Sequence, residues 1–227
     1  MSLRRPLVAV LAVSVLALTG CGVTATGVHP GQASSVNGET ISIIEVDDVA
    51  ASACAVLKSD PRFAGQVLAG SAVRNAAQRS LTLRAMADQL LEDFDVTLPT
   101  TVSDGSEDYR STYGNADPAD VETAEPVFTA DQYFTNVLVA IGTEEVGADA
   151  GQEAIITAGV EQVRAWQADA DIQTNPLFEA VEIGETQIIT TRDDLSVATT
   201  DFAVEATSAE APEGFAADLP ESQRCGG

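Results

Sequence analysis

Chemistry in this chain would have to be built from three cysteines, one histidine and 35 carboxylates. The first cysteine closes the run Leu18-Thr19-Gly20-Cys21: an aliphatic residue, two small residues and a thiol, the form of a bacterial lipobox. Small residues let a peptidase approach the backbone closely, and the thiol takes the lipid. Ahead of it, Arg4 and Arg5 make a positive start, and Leu7 to Leu18 is an apolar stretch too short for a comfortable membrane span of about 20 residues. These features predict a lipoprotein signal peptide over residues 1–20 and lipidation at Cys21. Acyl chains such as palmitate would then hold the chain on the extracytoplasmic face of the cell membrane without spanning it. The alternative is an ordinary secretion signal in which Cys21 falls by chance.

Cys54 and Cys225 are left as an even pair in an oxidising compartment, which predicts a disulfide; the alternative is two free thiols. A bridge between them would pin the tail onto the first helix. The lone histidine, His29, lies in a tether of small residues ahead of the domain and reads as a bystander. Ser-His-Asp and Cys-His catalysis therefore lack their partners, and zinc lacks ligands. The carboxylates of Asp104, Glu107, Asp108, Asp117 and Asp120 do not have the spacing of a calcium loop. No phosphate-cradling glycine loop or dinucleotide fingerprint is present. Among 35 acids, pairs of carboxylates at any given spacing arise by chance, so none is assigned to glycoside hydrolysis. The expectation is a protein that is not an enzyme, with no catalytic residue, metal or cofactor.

Loss of residues 1–20 removes two arginines and no acid, taking the formal charge from −24 to −26. Such a surface repels nucleic acid and anionic lipid; it suits cationic or unfolded partners, or solubility alone. One lysine against ten arginines is a usage common in high-GC organisms and would fit an actinobacterium.

The elements that position these residues begin at Val36-Asn37-Gly38-Glu39-Thr40-Ile41. Asn-Gly is the strongest short signal for a tight hairpin turn. Ser42 followed by Glu45 is a capping box, so the hairpin runs into a helix whose face is marked by Val46, Ala50, Ala53 and Leu57. After Asp60-Pro61, spacings of three and four residues predict a long amphipathic helix, or two with a bend, from Gly65 to Phe94. Residues 95–127, broken by Gly105, Gly114, Pro118 and Pro126 and rich in acids, read as a solvated loop with at most short helical turns. Thr129, with Gln132, reads as the N-cap of a helix that Gly142 ends; another helix is expected over Ala148–Gln167. Asp171–Thr174 reads as a short strand halted by Asn175-Pro176, with one or two further strands across Glu185–Val197 and an extended arm over Ala206–Pro220. The fold class is mainly α with a small β component, in one domain.

The run Val36-Asn37-Gly38…Ile41-Ser42…Glu45-Val46-Asp47 resembles the opening of the N-terminal domain of SurA- and PrsA-type extracytoplasmic chaperones. The strand and turn Asp171-Ile172-Gln173-Thr174-Asn175-Pro176-Leu177-Phe178 is similar to the segment that closes the same domain in actinobacterial relatives, with Leu177 where arginine is usual and Glu179 where glycine is usual. The resemblance implies a helical domain over residues 34–178 whose terminal strands pair, preceded by a tether at 21–33 and followed by a C-terminal extension, 179–227, that packs back on it. The parvulin isomerase domain often found in the family has no room here, since the intervening sequence is already helical. It further implies a non-catalytic, lipid-anchored chaperone that binds unfolded or extended segments of exported proteins in a groove between the long helix and the C-terminal segments. Val73, Leu83, Leu90 and Phe94 are the candidate wall; the other reading of this stripe is plain helix packing in the core. The alternative is a structural or adaptor lipoprotein that holds one dedicated envelope partner. A solute-binding lipoprotein is a third and weaker reading, because that class needs two strand-rich lobes.

Overall fold

The computed structural model describes residues 29–99, 102–185, 187–191, 199–201, 203–204 and 214–226. It is mainly α with a small β component. Strands β1 (Gln32–Val36) and β2 (Glu39–Ser42) form a hairpin whose two turn residues, Asn37 and Gly38, both take positive φ, at 47° and 89°. The Ser42 hydroxyl accepts from the Glu45 amide at 3.0 Å and starts helix α1 (Ile43–Ser59). Strand β3 (Val67–Ala69) leads into α2 (Gly70–Asp93). Then follow α3 (Ser106–Thr112), α4 (Pro118–Val146) and α5 (Gln152–Asp169). Strand β4 (Ile172–Thr174) returns to pair antiparallel with β1, giving a sheet in the order β2-β1-β4. The hairpin of β5 (Ala180–Ile183) and β6 (Ile188–Thr191), a short helix α6 (Phe215–Asp218) and strand β7 (Arg224–Gly226) complete the described chain.

Helix α4 is the centre of the molecule, packed on α1, α2 and α5. The main core holds Val36, Val46, Leu83, Met86, Leu90, Phe134, Val137, Ile141 and Val163. A smaller core lies beside it, where Ala53, Val56 and Val73 meet Tyr109, Val121, Ala124 and Cys225. Tyr109, Tyr113 and Phe128 stack there with centroids 4.9–5.2 Å apart. The Tyr109 hydroxyl donates to the Val121 carbonyl at 3.0 Å, and burial pushes its phenol up to about 12. Strand β1 is fixed to α2 by a buried bond between the Ser34 and Thr82 hydroxyls, 2.8 Å long. Among the described residues no helix is long and apolar enough to cross a membrane.

Several sequence expectations need correction. The segment read as a loop over 95–127 carries α3 and the first turns of α4. Pro126 suggests a break but lies inside α4, and the true start is Asp117-Pro118. The Asp117 carboxylate accepts from the Ala119 amide, and a proline at the first helical position gives up only an N–H that has no partner there anyway. Thr129 is therefore no cap: it is buried, and its hydroxyl donates to the Glu125 carbonyl. Gly142 does not end α4, which runs to Val146 and stops at Gly147 with φ 86°. The long helix begins at Gly70, because residues 67–69 are taken up as a strand by the C-terminal β7. The tether boundary also moves, since Gln32 and Ala33 are buried in β1.

Candidate functional site

The cysteine pair is joined as its count predicts: Cys54 on α1 and Cys225 on β7 form a disulfide, with Cα atoms 5.5 Å apart. Leu68 lies opposite Cys225 in the β3–β7 pair, so the tail is held by a strand on one side and a covalent bond on the other. Cys21 and its lipobox lie outside the described residues. His29 is exposed.

The proposed wall of the client groove is not a wall. Leu83 and Leu90 are fully buried in the main core, and Val73 is buried in the smaller one. Phe94 is half-buried against the main core. The spacing of these residues marks the face that α2 turns inward onto α4 and α1, and a face consumed by helix packing has nothing left for a ligand.

An open groove lies elsewhere, between the C-terminal end of α5 and the edges of β4 and β5. It measures about 490 Å³, and Arg164, Gln167, Ile172, Thr174, Val181 and Ile183 are among its lining. Its chemistry follows from which backbone groups point into it. The β1–β4 pair is bracketed by bonds from the Asn37 amide to the Asp171 carbonyl (2.9 Å) and from the Asn175 amide to the Ala33 carbonyl (2.8 Å). Antiparallel bonding alternates along a strand, so Asp171, Gln173 and Asn175 face β1, while Ile172 and Thr174 turn their backbone groups outward. The Ile172 amide reaches back to the Ala170 carbonyl at 3.2 Å. The Ile172 carbonyl and both Thr174 groups make no bond among the described residues and are offered to the groove.

Side-chain bonds hold this edge rigidly. Asn37 Oδ1 accepts from the Asp171 amide at 2.8 Å, and Asn175 Nδ2 donates to the Gln32 carbonyl at 2.9 Å. Asn175 Oδ1 also accepts from the Leu177 amide, which turns the chain at Pro176 and buries Phe178 in the main core. Leu177 itself is 58 % exposed just past the strand end.

The facing edge of β5 is closed differently. Within the β5–β6 hairpin the alternation turns the Val181 carbonyl and the Ile183 amide outward. Both are taken by one side chain: Gln167 Nε2 donates to Val181 O at 3.0 Å, and the Ile183 amide donates to Gln167 Oε1 at 2.9 Å. A glutamine amide thus does for β5 what a neighbouring peptide unit would do. Arg164, one turn earlier on α5, is exposed and makes no ion pair among the described residues.

A second cavity, of about 290 Å³, lies beside the disulfide between Leu57, Phe63, Leu68 and Cys225, with Lys58 at its rim. Tyr133, on α4, has its phenol pushed up to about 12 by burial and by the bond it donates to the Asp88 carboxylate; it lines neither space. Sequence reasoning did not single out Arg164, Gln167 or Thr174. The two short strands were visible, but which backbone groups stay unpaired is decided only by their partners.

Compared with known proteins, the chain matches no family model, no curated protein and no solved structure.

Proposed function

We propose that the protein is a non-catalytic, lipid-anchored extracytoplasmic chaperone-like module that binds extended segments of exported polypeptides. The observation that carries this reading is the open edge of β4. A rigid strand there presents an unbonded carbonyl, amide and carbonyl to a groove of mixed apolar and polar lining, the arrangement by which sheet edges capture extended peptides. The resemblance of Val36–Asp47 and Asp171–Phe178 to SurA-type domains supports the same class, and so does a strongly acidic surface for partners that are unfolded and cationic.

The direct experiment adds the oxidised protein to two unrelated proteins refolding from denaturant. Aggregation of both should be suppressed at near-stoichiometric ratios. No effect on either would turn the reading to a dedicated adaptor. One observation favours that second reading: the edge is only three residues long, which suits one defined segment better than a broad clientele. The anchor has its own test. Cys21→Ala should release the protein from membranes or leave it unprocessed, and unchanged membrane attachment would overturn lipidation.

A further inference from the structure

We infer that the groove is a vacant strand position: an extended segment of another polypeptide inserts between β4 and β5, displaces the side-chain amide of Gln167, and joins the two small sheets into one. This rests on the reading above and specifies its ligand as backbone in extended form, recognised on both edges at once. The two edges that line the groove carry complementary needs. Ile172 and Thr174 offer carbonyl, amide and carbonyl from β4; Val181 and Ile183 offer carbonyl and amide from β5. In the resting protein the β5 pair is satisfied by the two bonds of Gln167, a group of the same shape and polarity as a peptide unit. Val181 and Ile183 are buried, unlike the half-buried β4, and their outward groups cannot be left without such partners at low cost, so the glutamine acts as a placeholder that a true strand replaces bond for bond. The completed sheet would run β2-β1-β4-guest-β5-β6.

The lining sets the side chains of the guest. Ala168, Ala170 and Ala180 are small and leave room for β-branched or apolar residues. Arg164 stands at the rim without an ion pair among the described residues and is the cation of a lining that also holds the exposed Glu182 carboxylate, itself accepting from the Thr191 hydroxyl, so a guest carboxylate belongs at the Arg164 end, away from Glu182. A second copy of this chain is a different occupant, and it becomes an outcome of the test.

The probe is a fluorescently labelled decapeptide of alternating valine and threonine with a C-terminal glutamate, titrated into the full chain by anisotropy. Thr174→Pro is the principal variant. The Thr174 amide faces the groove and not β1, so proline removes a groove donor while the Asn175–Ala33 bond and the β1 pairing stay intact. Affinity should fall about tenfold or more. Gln167→Ala should tighten binding several-fold, because the guest no longer competes with the amide. Arg164→Gln should weaken binding a few-fold and remove part of its salt dependence. The melting temperature of each variant guards against misfolding.

Two further peptides decide the geometry without altering the protein. In each, alternate amides are N-methylated, on the odd or on the even positions. A guest bonded on one edge only can turn its free edge to β4 and survive in both forms. A guest bonded on both edges is lost in both. Loss of both methylated peptides, together with the Thr174→Pro and Gln167→Ala effects, establishes the slot. Retention of both, or indifference to Thr174→Pro, overturns it, even where suppression of aggregation leaves the proposed function standing. A dimer in light scattering that Thr174→Pro splits would also overturn it and give the edge to a second copy.

Discussion

Breaking the Cys54–Cys225 disulfide, by reduction or by Cys54→Ser, should cost the protein about 5 kcal/mol of stability, the chain-entropy value for the loop that 171 residues of separation close. For a chain of this size that corresponds to a fall in melting temperature of about 10–20 °C. The size follows from where the bond sits. Strand β7 has three residues, and its pairing with β3 is three residues long, so it nucleates no structure of its own. Cys225 is nevertheless buried in the smaller core, next to Ala53 and Val56 of α1. Once the covalent bond is cut, the tail must dock against that core at the full entropic cost of ordering it. Calorimetry with and without reductant measures the total. Hydrogen exchange at Leu68 and Cys225 shows whether the β3–β7 pair opens first. A loss below about 1 kcal/mol would mean that α6 and β7 hold without the bond and that the bridge is an ornament of the fold.

What could be read in the sequence, and what could not, divides along the range of the chemistry. The Asn37-Gly38 turn, the Ser42 cap and the Asn175-Pro176 turn are decided within four residues, and each stands where its local chemistry puts it. The cysteine pair is legible because, with Cys21 set aside as the expected lipid site, two cysteines in the expected oxidising compartment leave few options. Pro126 and Gly142 mislead for a common reason: both weaken an isolated helix, but α4 is buried against three other helices, and packing of that extent overrides a local preference. The stripe Val73, Leu83, Leu90 and Phe94 is identified correctly as apolar, and of its two readings, groove wall or core, the structure has the core, since periodicity says which face is buried and not whether protein or ligand buries it. The groove is the least legible feature. Nothing local distinguishes Gln167 from the other polar residues near the end of α5. Its role appears only when β5, 14 residues downstream, brings Val181 O within reach.

The crossing of α4 and α5 should be intolerant of a single methyl group. Gly142 and Gly159 face each other there. A Cβ at Gly142 would stand 1.9 Å from the Ile155 carbonyl oxygen and 2.9 Å from the Gly159 nitrogen, and one at Gly159 would stand 2.1 Å from the Leu138 carbonyl oxygen. The atoms met are backbone, so no rotamer change relieves the clash and the helices must part. Gly→Ala inside a helix ordinarily gains up to about 1 kcal/mol in propensity. Overpacking costs about 1–3 kcal/mol and at times more, and a clash this close with backbone belongs at the upper end, so after the propensity gain each variant should be net destabilised by roughly 2 kcal/mol. The melting temperature should fall by about 4–8 °C. Gly151→Ala, where the added methyl meets no atom within 4 Å, serves as the control; it lies at the N-cap of α5, where alanine is poorer than glycine, and should cost no more than about 1 kcal/mol. The double variant Gly142→Ala/Gly159→Ala should cost less than the sum, because the separation forced by the first methyl already makes room for the second. Additive losses would mean that the clashes are relieved independently and that the crossing is looser than these distances require. The same crossing also governs the groove. Helix α5 carries Arg164 and Gln167 at the end that lines it, so a rigid α4–α5 contact is what holds the Gln167 amide on Val181 and Ile183. A shifted α5 should therefore loosen the placeholder, and Gly142→Ala should alter binding of the decapeptide in the direction of Gln167→Ala even as it lowers stability. Binding that simply fell with stability would mean that the helix crossing supports the fold without setting the groove.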